Sequence, residues 1–353
     1  RSGTGCASGS VRSFTWQQAL NLAESADFAS YSDWRLPNKS ELSLLVERSC
    51  RAPAINARFF PYTTGPNPKE YWSSSPHAYS LDKVWVVGFS RGLVVGYGKY
   101  SQGSVRLVRV GQAGGGSTRP EMDDPYITSI LGYTTQPLND TGITLCGNAT
   151  RNDLPCPVHG FPGQDAEYGR DVTDNDPSDG NAGFSFTKLD INGNDLPTEA
   201  TVWSCVRDNV TGLVWEGKTD SGGLHDADNT YTWFNPDSTI NGGDAGTQNG
   251  GACAGSACDT DAFVETVNAQ GLCGASDWRM PNVQELMSIV DSRRGSPAYS
   301  AYFRNTRPGL FVSSQPYPTY ADFVYYVRML NSGRVDAYLK SIPRYVRLVR
   351  AGG

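Results

Sequence analysis

The residues of this chain best suited to chemistry are carboxylates. Asp171, Asp174, Asp176 and Asp179 fall within nine positions and are followed by Gly180, and Asp190, Asn192, Asn194 and Asp195 add further side-chain oxygens. Loops of Asp, Asn and Gly suit hard cations that take six to eight oxygen ligands. Calcium held by Asp171, Asp174, Asp176 and Asp179 is therefore the one cofactor this pattern offers. The spacing is not that of an EF-hand, and a solvated acidic loop is the equal alternative. A second set is basic. Lys83, Arg91, Tyr97 and Lys99, with Tyr100 nearby, place cationic heads beside aromatic faces. That pairing suits a sulfated or carboxylated glycan, and ordinary surface cations are the plain alternative.

Catalytic chemistry has no comparable signal. The three histidines, His77, His159 and His225, stand apart from every cysteine cluster and leave a nucleophile without an evident base. No GxSxG, HExxH or phosphate-binding loop occurs. The expectation is a protein that is not an enzyme. Eight cysteines in Gly-rich, polar surroundings without CxxC pairs read as disulfides of an oxidising compartment. The expected pairs are Cys6–Cys50, Cys146–Cys156, Cys253–Cys258 and Cys205–Cys273, with Cys205 and Cys258 able to exchange roles. Short separation motivates the second and third pairs; the other two join the cysteines left over in each module.

The elements that position these residues come from a repeat. Asp33-Trp34-Arg35-Leu36-Pro37-Asn38 returns as Asp277-Trp278-Arg279-Met280-Pro281-Asn282, and Val105-Arg106-Leu107-Val108-Arg109 returns as Val346-Arg347-Leu348-Val349-Arg350. Trp72-Ser73-Ser74-Ser75-Pro76 answers Val312-Ser313-Ser314-Gln315-Pro316. Two modules result, 1–112 and 201–353, joined by a Gly-, Pro- and Asp-rich segment, 113–200. Helical spacing is read over 17–26 and 261–269. Asn38 with Glu41, and Asn282 with Glu285, read as capping boxes opening helices over 39–47 and 283–291. Short strands follow, among them 84–90, 93–96 and 103–110, with hairpin turns at Gly92 and Gly333. The fold class is α+β: in each module two helices and a small antiparallel sheet, with a long irregular acidic connection between the modules. The alternating Arg106, Arg109, Arg347 and Arg350 are assigned to the solvent face of the last strand. Trp34, Trp278, Pro37 and Pro281 read as fold determinants, and Asp33–Arg35 and Asp277–Arg279 as internal charge pairs.

Charge is uneven along this frame. Residues 1–116 carry 13 basic against 7 acidic side chains, residues 117–230 carry 6 against 19, and the rest 11 against 10. The basic first module suits a polyanion and the acidic middle a cation. With 19% charged and 11% aromatic residues the chain is no disordered polymer. The longest apolar run, Val84–Phe89, is far short of the roughly 18 residues of a membrane span. Nucleic acid is not an expected partner, because no helix carries a basic stripe. A start at Arg1 rather than Met reads as processing or truncation.

The repeated Asp-Trp-Arg-Leu-Pro-Asn with Glu-Leu, the Trp-Ser-Ser-Ser-Pro, the closing Val-Arg-Leu-Val-Arg and the Asp208–Glu216 opening together resemble the domain of unknown function 1566 (DUF1566), which also forms the C-terminal part of the Legionella collagen-like adhesin. Both modules are similar over nearly their whole length. The resemblance implies a bacterial, secreted or surface-attached protein without catalysis, sulfated-glycan binding with oligomerisation, and a C-type-lectin-like layout. In that layout first and last strands pair, so Thr211–Trp215 belongs beside Arg344–Arg350. The expected function is adhesion or matrix binding through glycans. The rival is a structural subunit of an extracellular filament or sheath. The first module lacks an opening strand before Phe14, so Val105, Leu107 and Arg109 form an edge awaiting a strand. Three donors are conceivable: chain upstream of this sequence, Tyr126–Tyr133, or a neighbouring subunit.

Overall fold

A computed structural model describes residues 12–61, 63, 70–109, 139–294, 299–330 and 333–352. Cys6 and Tyr126–Tyr133 lie outside the described residues. In the first module Thr15 caps α1 (Trp16–Glu24) through a capping box with Gln18, and the helix buries Trp16, Ala19, Leu20 and Ala23. That stripe follows the helical period. Asn38 and Glu41 form the capping box of α2 (Lys39–Leu44). Strands β1 (Tyr71–Pro76), β2 (Lys83–Gly88) and β3 (Leu93–Gly98) form an antiparallel meander.

The middle segment corrects the expectation of an irregular connector. It holds a short helix, α3 (Arg170–Thr173), and strands β4 (Gly180–Asn181) and β5 (Phe184–Leu189). β5 pairs with β6 (Cys205–Asp208), which pairs with β7 (Leu213–Glu216). Its polar side chains are not loose charges, because they close turns and cap backbone groups. Asp190, for example, accepts from the backbone N–H groups of Asn192 and Asn194, both at 2.8 Å. The second module continues with α4 (Thr260–Gln270), capped by Asp259, and α5 (Val283–Ser288), boxed by Asn282 and Glu285. It ends in β8 (Leu310–Pro316), β9 (Phe323–Arg328), β10 (Val335–Leu339) and β11 (Val349–Ala351).

The modules do not keep separate sheets, which is a second correction. One six-stranded sheet runs β1-β2-β3-β10-β9-β8, with Val94 of β3 opposite Val335 of β10. Each meander alone would leave that edge unpaired, and joining the edges satisfies both. The repeat thus becomes an internal pseudo-dimer. Leu42, Val46, Trp85 and Val87 share one core with Leu286, Val290, Tyr325 and Val327. Across it the Tyr325 hydroxyl donates to the Arg91 carbonyl at 2.8 Å. Gly92 shows why the hairpin needs glycine: its φ is +69°, and a Cβ there would meet Val46 at 2.9 Å.

The second sheet runs β11-β7-β6-β5-β4. Val349 lies opposite Trp215, so the first and last strands of the second module do pair. In the first module the expected strand over 103–110 is replaced by isolated bridges, Phe14 to Gly103, Tyr71 to Ser104 and Arg35 to Val108. Among the described residues no strand occupies the place that β7 takes in the second module.

The last-strand arginines are not all on the solvent face. Arg347 is only 1% exposed, and its guanidinium donates to the Glu216 carbonyl and to the Thr306 hydroxyl. Arg106 is half-buried over the Phe60 ring and donates to the Thr63 hydroxyl at 3.1 Å. Arg109 and Arg350 reach Asp33 and Asp277 at 2.8 and 2.6 Å. Those aspartates therefore pair with the last strand and not with Arg35 and Arg279, which hold Glu41 and Glu285. Each arginine of the motif is instead taken by the capping-box glutamate six positions on, which leaves the aspartate to the arginine of the closing segment.

Candidate binding surface and a buried acidic seam

The four residues proposed for glycan contact do not form one patch. Lys99 is 3% exposed, and its ammonium donates to the carbonyls of Leu81, Asn148 and Arg151 at 2.6, 2.6 and 2.9 Å. Burial pushes it down to about 8, against the pull of Asp82. Lys99 is a clamp that fastens the middle segment to the first module. Lys340 repeats the device, donating to the Asn241 and Asp244 carbonyls at 2.8 and 2.6 Å. Each lysine also lies over the tryptophan that opens its module's first helix or turn, Trp16 at 5.5 Å and Trp233 at 4.4 Å. Tyr97 is half-buried against Trp72, with ring centroids 5.5 Å apart. Lys83 and Arg91 are both exposed but flank opposite ends of β2, more than about 15 Å apart at strand rise.

Something smaller survives at the Lys83 end. Tyr79 is 59% exposed and Tyr100 70% exposed, and Leu81 is exposed between them. Their turns are tied together: the Lys83 N–H donates to the Ser80 carbonyl at 2.9 Å and the Lys99 N–H to the Asp82 carbonyl at 3.0 Å. Two exposed phenol rings and the exposed Lys83 thus stand on linked turns, a platform that Lys99 holds through the Leu81 carbonyl. The second module has Thr319 at the position of Tyr79 and Phe323 at the position of Lys83, with an exposed Tyr320 where the first has Ser80.

The acidic run is also taken apart. Asp171 is buried and comes together with Asp140 and Asp165, one ligand oxygen from each lying within 4.8 Å of the others. Asp174 instead pairs with Arg170, Asp176 accepts from the Ser178 N–H at 2.8 Å, and Asp179 accepts from the Ser185 hydroxyl at 2.6 Å. Asp140 takes N–H groups from Thr141, Arg170 and Asp171 and the Asn38 amide at 3.1 Å. Asp165 accepts from the Ser75 hydroxyl at 2.6 Å and the Thr141 hydroxyl at 2.8 Å. Burial, then the neighbouring aspartates, push Asp165 up to about 7 and Asp171 up to about 10. Facing them from the first module is Lys39, 1% exposed and 4.4 Å over the Trp85 ring, on which His77 also stacks at 4.5 Å. Burial lowers Lys39 to about 7 and His77 to about 4. Asp140 and Asp165 carry no local sequence signal, because they stand 31 and 6 positions from Asp171 and only the fold collects them.

A second buried polar group lies in the other module. Glu216, fully buried, holds Lys218 at 2.7 Å and His225 at 2.9 Å, while its other oxygen accepts from the Leu348 N–H at 3.0 Å. Burial alone would raise it, but Lys218 and His225 together hold it at about 2. The sulfurs of Cys146 and Cys156, Cys205 and Cys273, and Cys253 and Cys258 are bonded. Cys50 is exposed and unbonded among the described residues. Val105, Leu107 and Arg109 are half-buried.

The stretches 4–109 and 204–350 both match the family model of the Lcl C-terminal domain. The chain belongs to the Lcl C-terminal domain family. It carries two such domains in tandem, and the family is one of bacterial surface proteins. No curated protein and no solved structure shows a significant match. Among the described residues no helix is long and apolar enough to cross a membrane.

Proposed function

We propose that this tandem Lcl protein is a non-catalytic bacterial adhesion or matrix-binding protein whose first domain takes anionic, sulfated or carboxylated glycans. The carrying observation is the Tyr79–Lys83–Tyr100 platform: two exposed rings for stacking on sugar faces beside one exposed ammonium for an anionic substituent. The first module's excess of basic residues adds a steering field. The most perturbed titratable groups, Asp171, Asp165 and Lys39, lie sealed inside at 1%, 3% and 1% exposure, out of reach of a substrate, which suits a structural and not a catalytic use. The test is retention on a heparin column with a salt gradient, followed by a glycan array. Lys83→Glu and Tyr100→Ala should each lower retention, while Arg91→Glu, at the far end of β2, should change it less. Equal retention of all three variants would remove the platform from the reading.

A second reading, a subunit of an extracellular filament or sheath, is favoured by the first module's last segment. The place that β7 fills in the second module holds no strand among the described residues, and an open edge accepts strands. Electron microscopy of the full chain at high concentration checks it, with polymers expected on this reading and dispersed particles against it.

A further inference from the structure

We propose that Asp165 and Asp171, with the charge of Asp140 beside them, bind one hard divalent cation of the calcium class, which locks the middle segment onto the first module. The three side chains are 8%, 3% and 1% exposed and come from an irregular stretch, a short 3-10 helix and α3. Their hydrogen bonds leave two oxygens over. Thr141 and Ser75 engage Asp165 Oδ2, and Thr141 also lies 3.4 Å from Asp171 Oδ2, but Asp165 Oδ1 and Asp171 Oδ1 accept no hydrogen bond. An ionised oxygen buried without a partner is costly, so these two atoms call for a cation.

Charge and donor type then choose the ligand. Three carboxylates face one buried lysine, Lys39, whose field reaches Asp165, and the Arg35–Glu41 ion pair, whose two charges cancel. The balance is two negative charges, which one divalent ion neutralises. Every donor is oxygen, counting the hydroxyls of Ser75 and Thr141, and an all-oxygen set favours calcium, magnesium or manganese over zinc. The second module supplies the contrast. Val283 and Gln315 stand where the first has Lys39 and Ser75, with the Gln315 side chain accepting from the Val283 N–H at 3.0 Å as Ser75 does from the Lys39 N–H at 2.9 Å. The same scaffold closes that position without an acidic cluster, so the triad is an addition to the fold and not a requirement of it.

The experiment is calorimetric titration of the chelator-treated full chain with calcium chloride alone, with metal content of the untreated protein measured in parallel. One calcium per chain, a melting temperature that rises with calcium, and protection of residues 165–183 from protease are expected. Asp171→Asn should weaken calcium binding at least 100-fold, while its melting temperature in chelator is no lower than that of the wild type, since the change removes a buried like charge. Asp174→Asn and Asp176→Asn should bind as the wild type does. Absence of binding by the wild-type chain to calcium, magnesium and manganese would overturn the proposal and leave protonated acids as the account. So would unchanged affinity in Asp171→Asn.

Discussion

In the first domain the residue after the second helix cap is a lysine lying over Trp85; in the second it is Val283, fully buried, with Tyr325 where Trp85 stands. Around that difference the two domains agree closely. The tryptophan indoles donate to Ser73 and Ser313 carbonyls at 3.0 and 3.1 Å, and Arg35 and Arg279 hold Glu41 and Glu285. Lys99 and Lys340 each clasp carbonyls of a loop foreign to the shared frame. The borrowed loop differs: residues 148–151 of the middle segment in one case, 241–244 of an insertion in the other. The lesson is that the fold fixes a socket, and each domain brings its own plug. The first domain's plug comes from outside its repeat, so the middle segment belongs structurally to both neighbours.

The buried charge network of the second domain offers the sharpest test of that asymmetry. Glu216→Gln leaves the buried Lys218, and His225 beside it, without their carboxylate, and should cost about 3–5 kcal/mol at neutral pH in urea denaturation. Glu216 is held near 2 in the folded chain against 4.5 when free. Its stabilisation is therefore present above about pH 4.5 and is lost as pH falls through 2. The gap between wild type and variant should shrink over that window, and a constant gap would refute the assignment.

Disulfides rank next. Cys205–Cys273 spans 68 positions and Cys253–Cys258 only 5. Chain-entropy reasoning gives about 4 and about 2 kcal/mol for their loss as paired Cys→Ser changes. Reversal of that order in denaturation midpoints would show that strain or residual structure dominates. The clamps should give the smallest and most local effect. Lys99→Met and Lys340→Met each leave buried carbonyls short of a donor, costing about 1–3 kcal/mol. Hydrogen exchange should rise over 146–156 in the first variant and over 240–246 in the second. Exchange that rises equally in both loops would mean the clamps are not separate devices.

The local grammar was legible from the residues. The capping boxes at Asn38 and Asn282, the hairpin glycine at 92 and the antiparallel strands all follow from short-range spacing, and the structure has them. Helix lengths were not: α2 and α5 end at Leu44 and Ser288, sooner than their apolar pattern suggests. Lys99 misled because a lysine between tyrosines on a hairpin looks like surface. Its burial depends on a loop about 50 positions away. Arg347 misled in the same way, since alternation along a strand cannot reveal that both faces are covered.

What the sequence determined by itself is the repeat, the caps and turns inside each copy, and the α+β class, because these rest on contacts between near neighbours and on backbone preferences. Tertiary structure alone decided that the copies fuse through β3 and β10, that Asp140 and Asp165 join Asp171, and that Lys99 and Arg347 turn inward. Edge pairing and burial are properties of surfaces that exist only after folding. A residue's chemistry is set by whatever the fold brings against it, and chain distance says little about that.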